Sequence, residues 1–93
     1  MVVALLQLSL RLAASQSLKE KRRHLKGLIG RIRARFNVSV AEVGSQDTWQ
    51  SALVAVVHVA NDRARANAVL DQVLNQARAA DEIEVLDSDL SFY

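Results

Sequence analysis

From residue 2 to residue 12 the side chains alternate with period two. Val2, Ala4, Leu6, Leu8, Leu10 and Leu12 share one face, and Val3, Leu5, Gln7, Ser9 and Arg11 share the other. That period predicts a β-strand, apolar on both faces at its start. Past Ser15 and Gln16 the period changes. Ser17, followed three residues later by Glu20, has the form of a capping box, in which serine and glutamate side chains satisfy free N–H groups of a first helical turn. Leu18, Leu25, Leu28, Ile29, Ile32 and Phe36 then recur on one side at about 100° per residue, predicting a helix that ends near Phe36-Asn37. Residues 38–43 form a short strand-like run, Gly44-Ser45-Gln46-Asp47 a turn cluster and residues 49–60 a longer alternating run, together a β-hairpin. Asn61 or Asp62 caps a second helix with the apolar stripe Ala66, Val69, Leu70, Val73, Leu74 and Ala77. Residues 83–86 open a last strand in an acidic setting, and residues 90–93 either extend it or fray.

The order β-α-β-β-α-β predicts an α+β fold, a ferredoxin-like sandwich over residues 1–93 as a single domain. Two helices then cover one face of a four-stranded antiparallel sheet in the order 4-1-3-2. The first and third strands, the most apolar, are central. At the edges Glu42, Glu82 and Glu84 are expected to discourage pairing with other chains. Helices cover only one sheet face, yet the central strands are partly apolar on both. The face carrying Val3, Leu5, Val54 and Val56, or its opposite, therefore needs a cover: a second copy of the chain, a long loop, or the C-terminal Phe92-Tyr93.

Composition narrows the chemistry. The chain has 93 residues and no cysteine, which excludes disulfides, thiolate catalysis and cysteine metal sites. No apolar run approaches the roughly 20 residues of a membrane span, and the N-terminal run has no basic start and no cleavage-like site. These features predict a soluble cytoplasmic protein.

Charge changes the picture more. Eight of the twelve Lys and Arg residues lie between Lys19 and Arg35 with a single acid, Glu20, so that segment carries +7. Four bases and nine acids elsewhere leave the rest at −5. Cations gathered on one element mark an anionic partner, nucleic acid foremost. On a helical wheel Lys19, Arg22, Arg23, Lys26 and Arg33 fall within an arc of roughly 100° beside the apolar stripe, while Lys21, Arg31 and Arg35 point elsewhere. Such a stripe can follow a phosphate backbone. Lys19, Lys21, Arg22 and Arg23 also crowd the start of the helix, where the dipole already places positive charge and each exposed cation costs about 0.3–1 kcal/mol. Local rules broken in this way point to function. Free N–H groups there, with Ser15, Ser17 and Lys21, would suit a phosphate or other anion. The competing reading is a solvated charged face.

Other candidates are weaker. His24 and His58 share no ligand spacing with each other or with a carboxylate, so neither is assigned a metal. Trp49 reads first as a core plug at the sheet end, with a stacking platform as the alternative. Asp87 and Asp89 read as a solvated edge. No nucleophile–base constellation and no glycine-rich phosphate loop is present, so no catalytic residue is assigned. An acylphosphatase of this fold would need a glycine-rich loop with an arginine after the first strand, and a metallochaperone would need CxxC. An RRM would need aromatics on its middle strands. Without them, RNA would meet the helix through its phosphates, with poor base specificity.

Residues 17–62, SLKEKRRHLKGLIGRIRARFNVSVAEVGSQDTWQSALVAVVHVAND, resemble the YlxP-like family of small bacterial proteins, a domain of unknown function. The strings SLKEKR and FNVSVAEV carry most of the likeness, with Asp47, Trp49 and Gln50 beyond them. The resemblance implies a small ferredoxin-like domain. Genes of the family sit near genes for translation and ribosome maturation, which implies a connection to RNA or the ribosome. It supplies no catalytic residues. The expectation is thus a non-enzymatic binding module for RNA or a ribosomal particle, without cofactor or metal. Lys19, Arg22, Arg23, Lys26 and Arg33 would contact phosphates. The alternative is a protein-interaction or self-assembling module, including a homodimer through the helix-free sheet face.

Overall fold

The computed structural model describes residues 1–93. Its elements are β1 (Val2–Arg11), α1 (Leu18–Arg35), β2 (Ser39–Gly44), β3 (Ser51–Ala60), α2 (Arg63–Ala79) and β4 (Glu84–Phe92). All strand pairs are antiparallel, and the sheet order β2-β3-β1-β4 is the expected 4-1-3-2 read from the other edge. α2 packs across β1, β3 and β4, and α1 lies against β2 and α2. The fold is the ferredoxin-like α+β sandwich that the element order predicts.

Register decides which side chains are covered. The pairing of β1 with β3 runs from Val2 opposite Ala60 to Arg11 opposite Ser51, so even-numbered residues face even-numbered ones. Ala4, Leu6, Leu8 and Leu10 share the helix-covered face with Ala52, Val54, Val56 and His58, all buried. Leu25, Leu28 and Ile32 of α1 and Ala66, Leu70, Val73 and Ala77 of α2 complete that core. Burying the three large α1 side chains contributes on the order of 5–9 kcal/mol. That outweighs the roughly 0.3–1 kcal/mol that each cation costs at the start of the helix. Packing thus holds α1 in place despite its charge.

The same register corrects the expected face. Val3 and Leu5 do not share a face with Val54 and Val56: they lie opposite Val59 and Val57 on the uncovered side, while Val54 and Val56 pair with Leu8 and Leu6 beneath the helices. Opposed residues in an antiparallel pair point the same way. Val3, Leu5, Leu53, Val57 and Val59 therefore form the apolar part of the open face.

Two element ends also differ from the expected ones. β4 runs over nine residues, Glu84–Phe92, so it begins one residue later than expected and the C-terminal residues extend it and do not fray. Ile83 instead lies just before it and is buried. Asp87 and Asp89 are tolerated within the strand because they lie opposite Ser9 and Gln7 on the open face. A register shift at Ser9/Leu10 leaves Leu86 as the extra residue of a bulge. The ladder continues to the end of the chain: Val3 N–H donates to the Tyr93 carbonyl at 3.2 Å and Tyr93 N–H to the Val3 carbonyl at 2.8 Å. At the other end β3 begins at Ser51, so Trp49 falls in the β2–β3 loop. It is 53% exposed and not the core plug that its position suggested. Glu42 faces the helices and not the solvent beside the edge strand, so it is no edge guard.

Candidate nucleic-acid interface

Ser17 caps α1. Its backbone is extended and its Oγ accepts a hydrogen bond from Glu20 N–H at 3.1 Å. The Glu20 carboxylate accepts from Gln16 N–H at 2.9 Å, one residue before the position a strict capping box uses. The serine and the acid of the SLKEKR string are therefore occupied in starting the helix.

Lys21 is the residue that the sequence misplaces. It is 1% exposed, and its ammonium donates to the Ser45 carbonyl at 2.6 Å and the Thr48 carbonyl at 2.7 Å. Glu42 Oε2 lies 2.9 Å away, close enough for an ion pair but outside hydrogen-bonding angles. A buried cation needs partners for its donors, and the β2–β3 loop supplies them. Ser45 adopts a left-handed backbone with φ of 61°, which turns the loop back over α1. Lys21 is thus a loop anchor and cannot meet a phosphate. Ser15 is also buried, with its Oγ unpartnered, and is not a surface anion donor. Of the three residues expected to hold an anion, only the half-buried Ser17 remains near the surface, and its oxygen is committed to the cap.

The other five expected residues, Lys19, Arg22, Arg23, Lys26 and Arg33, are all exposed. From Lys19 to Arg33 the stripe is about 21 Å long at 1.5 Å per residue. One flank borders a groove of about 540 Å³ between α1 and β2, with Arg22, Lys26 and Arg33 above Leu25, Ile29 and Val40. Arg33 donates to the Val40 carbonyl at 2.6 Å, which ties the helix to the edge strand and fixes that cation. A second concavity runs over the first turns among Ser17, Lys19, Arg22, Arg23 and Lys26. Glu20 is its only acid.

The remaining arginines of α1 point to the other side. Arg31 and Arg35 border a cleft with Gln76, Ala79 and Ala80 at the C-terminal end of α2, where cations complement the helix dipole. Arg35 also lies over the Phe36 ring at 5.0 Å. His58 Nδ1 lies 2.8 Å from the Asn37 carbonyl. A carbonyl only accepts, so Nδ1 carries the proton and the ring is a structural tie. His24 is half-buried beside Arg23 and Arg31 in a cleft facing the α2–β4 turn. No three His, Cys, Asp or Glu side chains come together to hold a metal. No helix is long and apolar enough to cross a membrane.

Comparison with known proteins bears on this surface only through its family. The uncharacterized protein YlxP of Bacillus subtilis (strain 168) is 41% identical over 68 residues, covering 73% of this chain and 74% of its own. Among solved structures, the de novo designed protein Foldit4 superposes with a TM-score of 0.53 at 15% identity, over 98% of this chain and 93% of its own. A second designed protein with a ferredoxin fold gives 0.55 at 9% identity, over 100% and 84%. At such identities these two likenesses speak for the fold alone. A family model described as a protein of unknown function, DUF503, matches residues 3–90. The chain therefore belongs to the DUF503 family.

Proposed function

We propose that the protein is a non-enzymatic RNA-binding module of translation or ribosome assembly, with α1 as its phosphate-contacting surface. The observation that carries this reading is the division of labour within α1. Its apolar side chains and Lys21 hold the fold, its cap residues start the helix, and Lys19, Arg22, Arg23, Lys26 and Arg33 remain exposed along one side. Lys19, in the first turn, lies at the positive end of the helix dipole, where a cation is disfavoured. The test is binding of ribosomal RNA or 30S particles across a salt series. Each ion contact to a single strand contributes roughly 0.7 to the slope of log affinity against log salt. Reversal of Arg22, Arg23 and Lys26 to Glu is expected to weaken binding sharply and flatten that slope. An unchanged affinity and slope would end the proposal.

A second reading rests on a different surface. The open face carries Val3, Leu5, Leu53, Val57 and Val59 with no layer over them, and Val59 is 56% exposed. It suits pairing with a second copy, because a two-fold contact brings the same patch to itself. This reading is independent of RNA and leaves α1 free.

A further inference from the structure

Resting on the RNA reading, we infer that Trp49 stacks on an unpaired base, so that the nucleic acid taken is single-stranded. Trp49 is the only tryptophan of the chain and is 53% exposed. Its neighbours are clamped on both sides. The Thr48 carbonyl accepts from Lys21 of α1 at 2.7 Å. On the other side Gln50 Nε2 donates to the Ala13 and Ser15 carbonyls at 3.2 and 3.3 Å, and the Gln50 carbonyl accepts from Leu12 N–H at 2.8 Å. The clamp is made by α1 and by the segment leading into it. A large aromatic is thus held, half-exposed, in a loop packed on the segment that leads into α1, at the end of the helix where Lys19, Arg22 and Arg23 are exposed. By angle those cations lie about 100–160° around the helix from Lys21, so a strand that reaches both turns around the helix start.

An indole left 53% exposed forgoes about half of the burial a core tryptophan would gain, and holding its backbone costs entropy. A loop serving only to join β2 to β3 needs no tryptophan. The loop also has the wrong charge for phosphates: among Ser45, Gln46, Asp47, Thr48, Trp49 and Gln50 there is one acid and no base. The exposed stripe of α1 has the opposite inventory, all cation and no aromatic. A single strand presents both complements at once, phosphates on one side and unstacked bases on the other. A duplex offers the phosphates but keeps its bases stacked and out of reach. The other exposed aromatic, Tyr93, pairs with Val3 at the far end of β1, roughly 30 Å from Leu12 at 3.3 Å per residue, and takes no part.

The lone indole is also the probe. Its fluorescence is followed while the protein is titrated with a 12-mer of oligouridine and with a blunt RNA duplex of equal length, and anisotropy of end-labelled RNA gives affinity independently. Stacking is expected to quench Trp49 on the single strand, with a midpoint matching the anisotropy, and to favour the single strand over the duplex. Trp49→Ala is expected to lose roughly 5- to 150-fold in affinity with an unchanged salt slope, and Trp49→Phe to retain most of it. If the oligonucleotide binds without quenching, if Trp49→Ala binds as the parent does, or if the duplex binds equally well, the stacking inference is overturned and the phosphate-contacting helix stands. If neither RNA binds, both fall together.

Discussion

Lys21 shows how one side chain can be read two ways. Counted with its neighbours it is a cation in a basic run. By angle it belongs elsewhere, about 20° from Leu28 and Ile32 and 40° from Leu25 on the wheel, in the middle of the buried arc. That signal was present in the spacing. What the sequence did not reveal was its partners, because the Ser45 and Thr48 carbonyls depend on how a loop folds 24 and 27 residues downstream. Lys21→Met would leave those carbonyls unpaired and Glu42 without its cation. Removing one member of a buried pair costs about 3–5 kcal/mol, and the 19% exposure of Glu42 places this case near the lower figure. The melting temperature is expected to fall by roughly 12–24 °C in calorimetry. The salt slope for RNA is expected to stay the same at temperatures where the variant is folded. A slope lowered by one ion contact would return Lys21 to the binding surface.

α1 as an element is held by its core contacts and strained by its charges, so stability and binding are predicted to oppose one another along it. Lys19 is the second helical residue, exposed and near the positive end of the dipole. Lys19→Glu is expected to raise stability by about 1 kcal/mol in urea denaturation. It is also expected to weaken RNA binding several-fold. A variant that loses stability, or gains it with no change in binding, would break this link between misplaced charge and function. Most of the fold was legible at this scale. Strong periodicity marks β1, β3 and both helices; Ser17 caps α1 as expected, and of the two candidates Asn61 and Asp62 it is Asp62 that caps α2. β4 was under-read because Asp87, Ser88 and Asp89 interrupt its apolar pattern. They are tolerated there by an open face that pattern alone does not reveal. Trp49 was misread for a related reason: hydrophobic size suggests burial, whereas the clamp of Lys21 and Gln50 keeps its loop outside the sheet.

The whole molecule separates its two functional candidates. α1 and the loop with Trp49 lie on the covered side and at one end of the sheet, and the open face lies opposite. That face carries Asp87 and Asp89 on β4, which would repel a phosphate backbone and so confine RNA to the α1 side. At physiological salt the Debye length is about 8 Å, so these carboxylates should barely influence a strand bound across the domain. Asp87→Asn with Asp89→Asn is expected to change RNA affinity less than two-fold, and a larger gain would mean that RNA also approaches the sheet. The apolar half of the same face makes the complementary prediction. If a second copy covers Val3, Leu5, Val57 and Val59, light scattering should show a mass that rises with concentration toward twice the chain. Val59→Glu would then hold the protein monomeric by burying an unpaired charge in the contact. Val59 is exposed in the single chain, so the variant should melt close to the parent monomer. It should also bind short single strands unchanged, because α1 is on the other side. A parent protein that remains monomeric at the highest concentrations would remove self-pairing and leave this face as uncovered apolar surface.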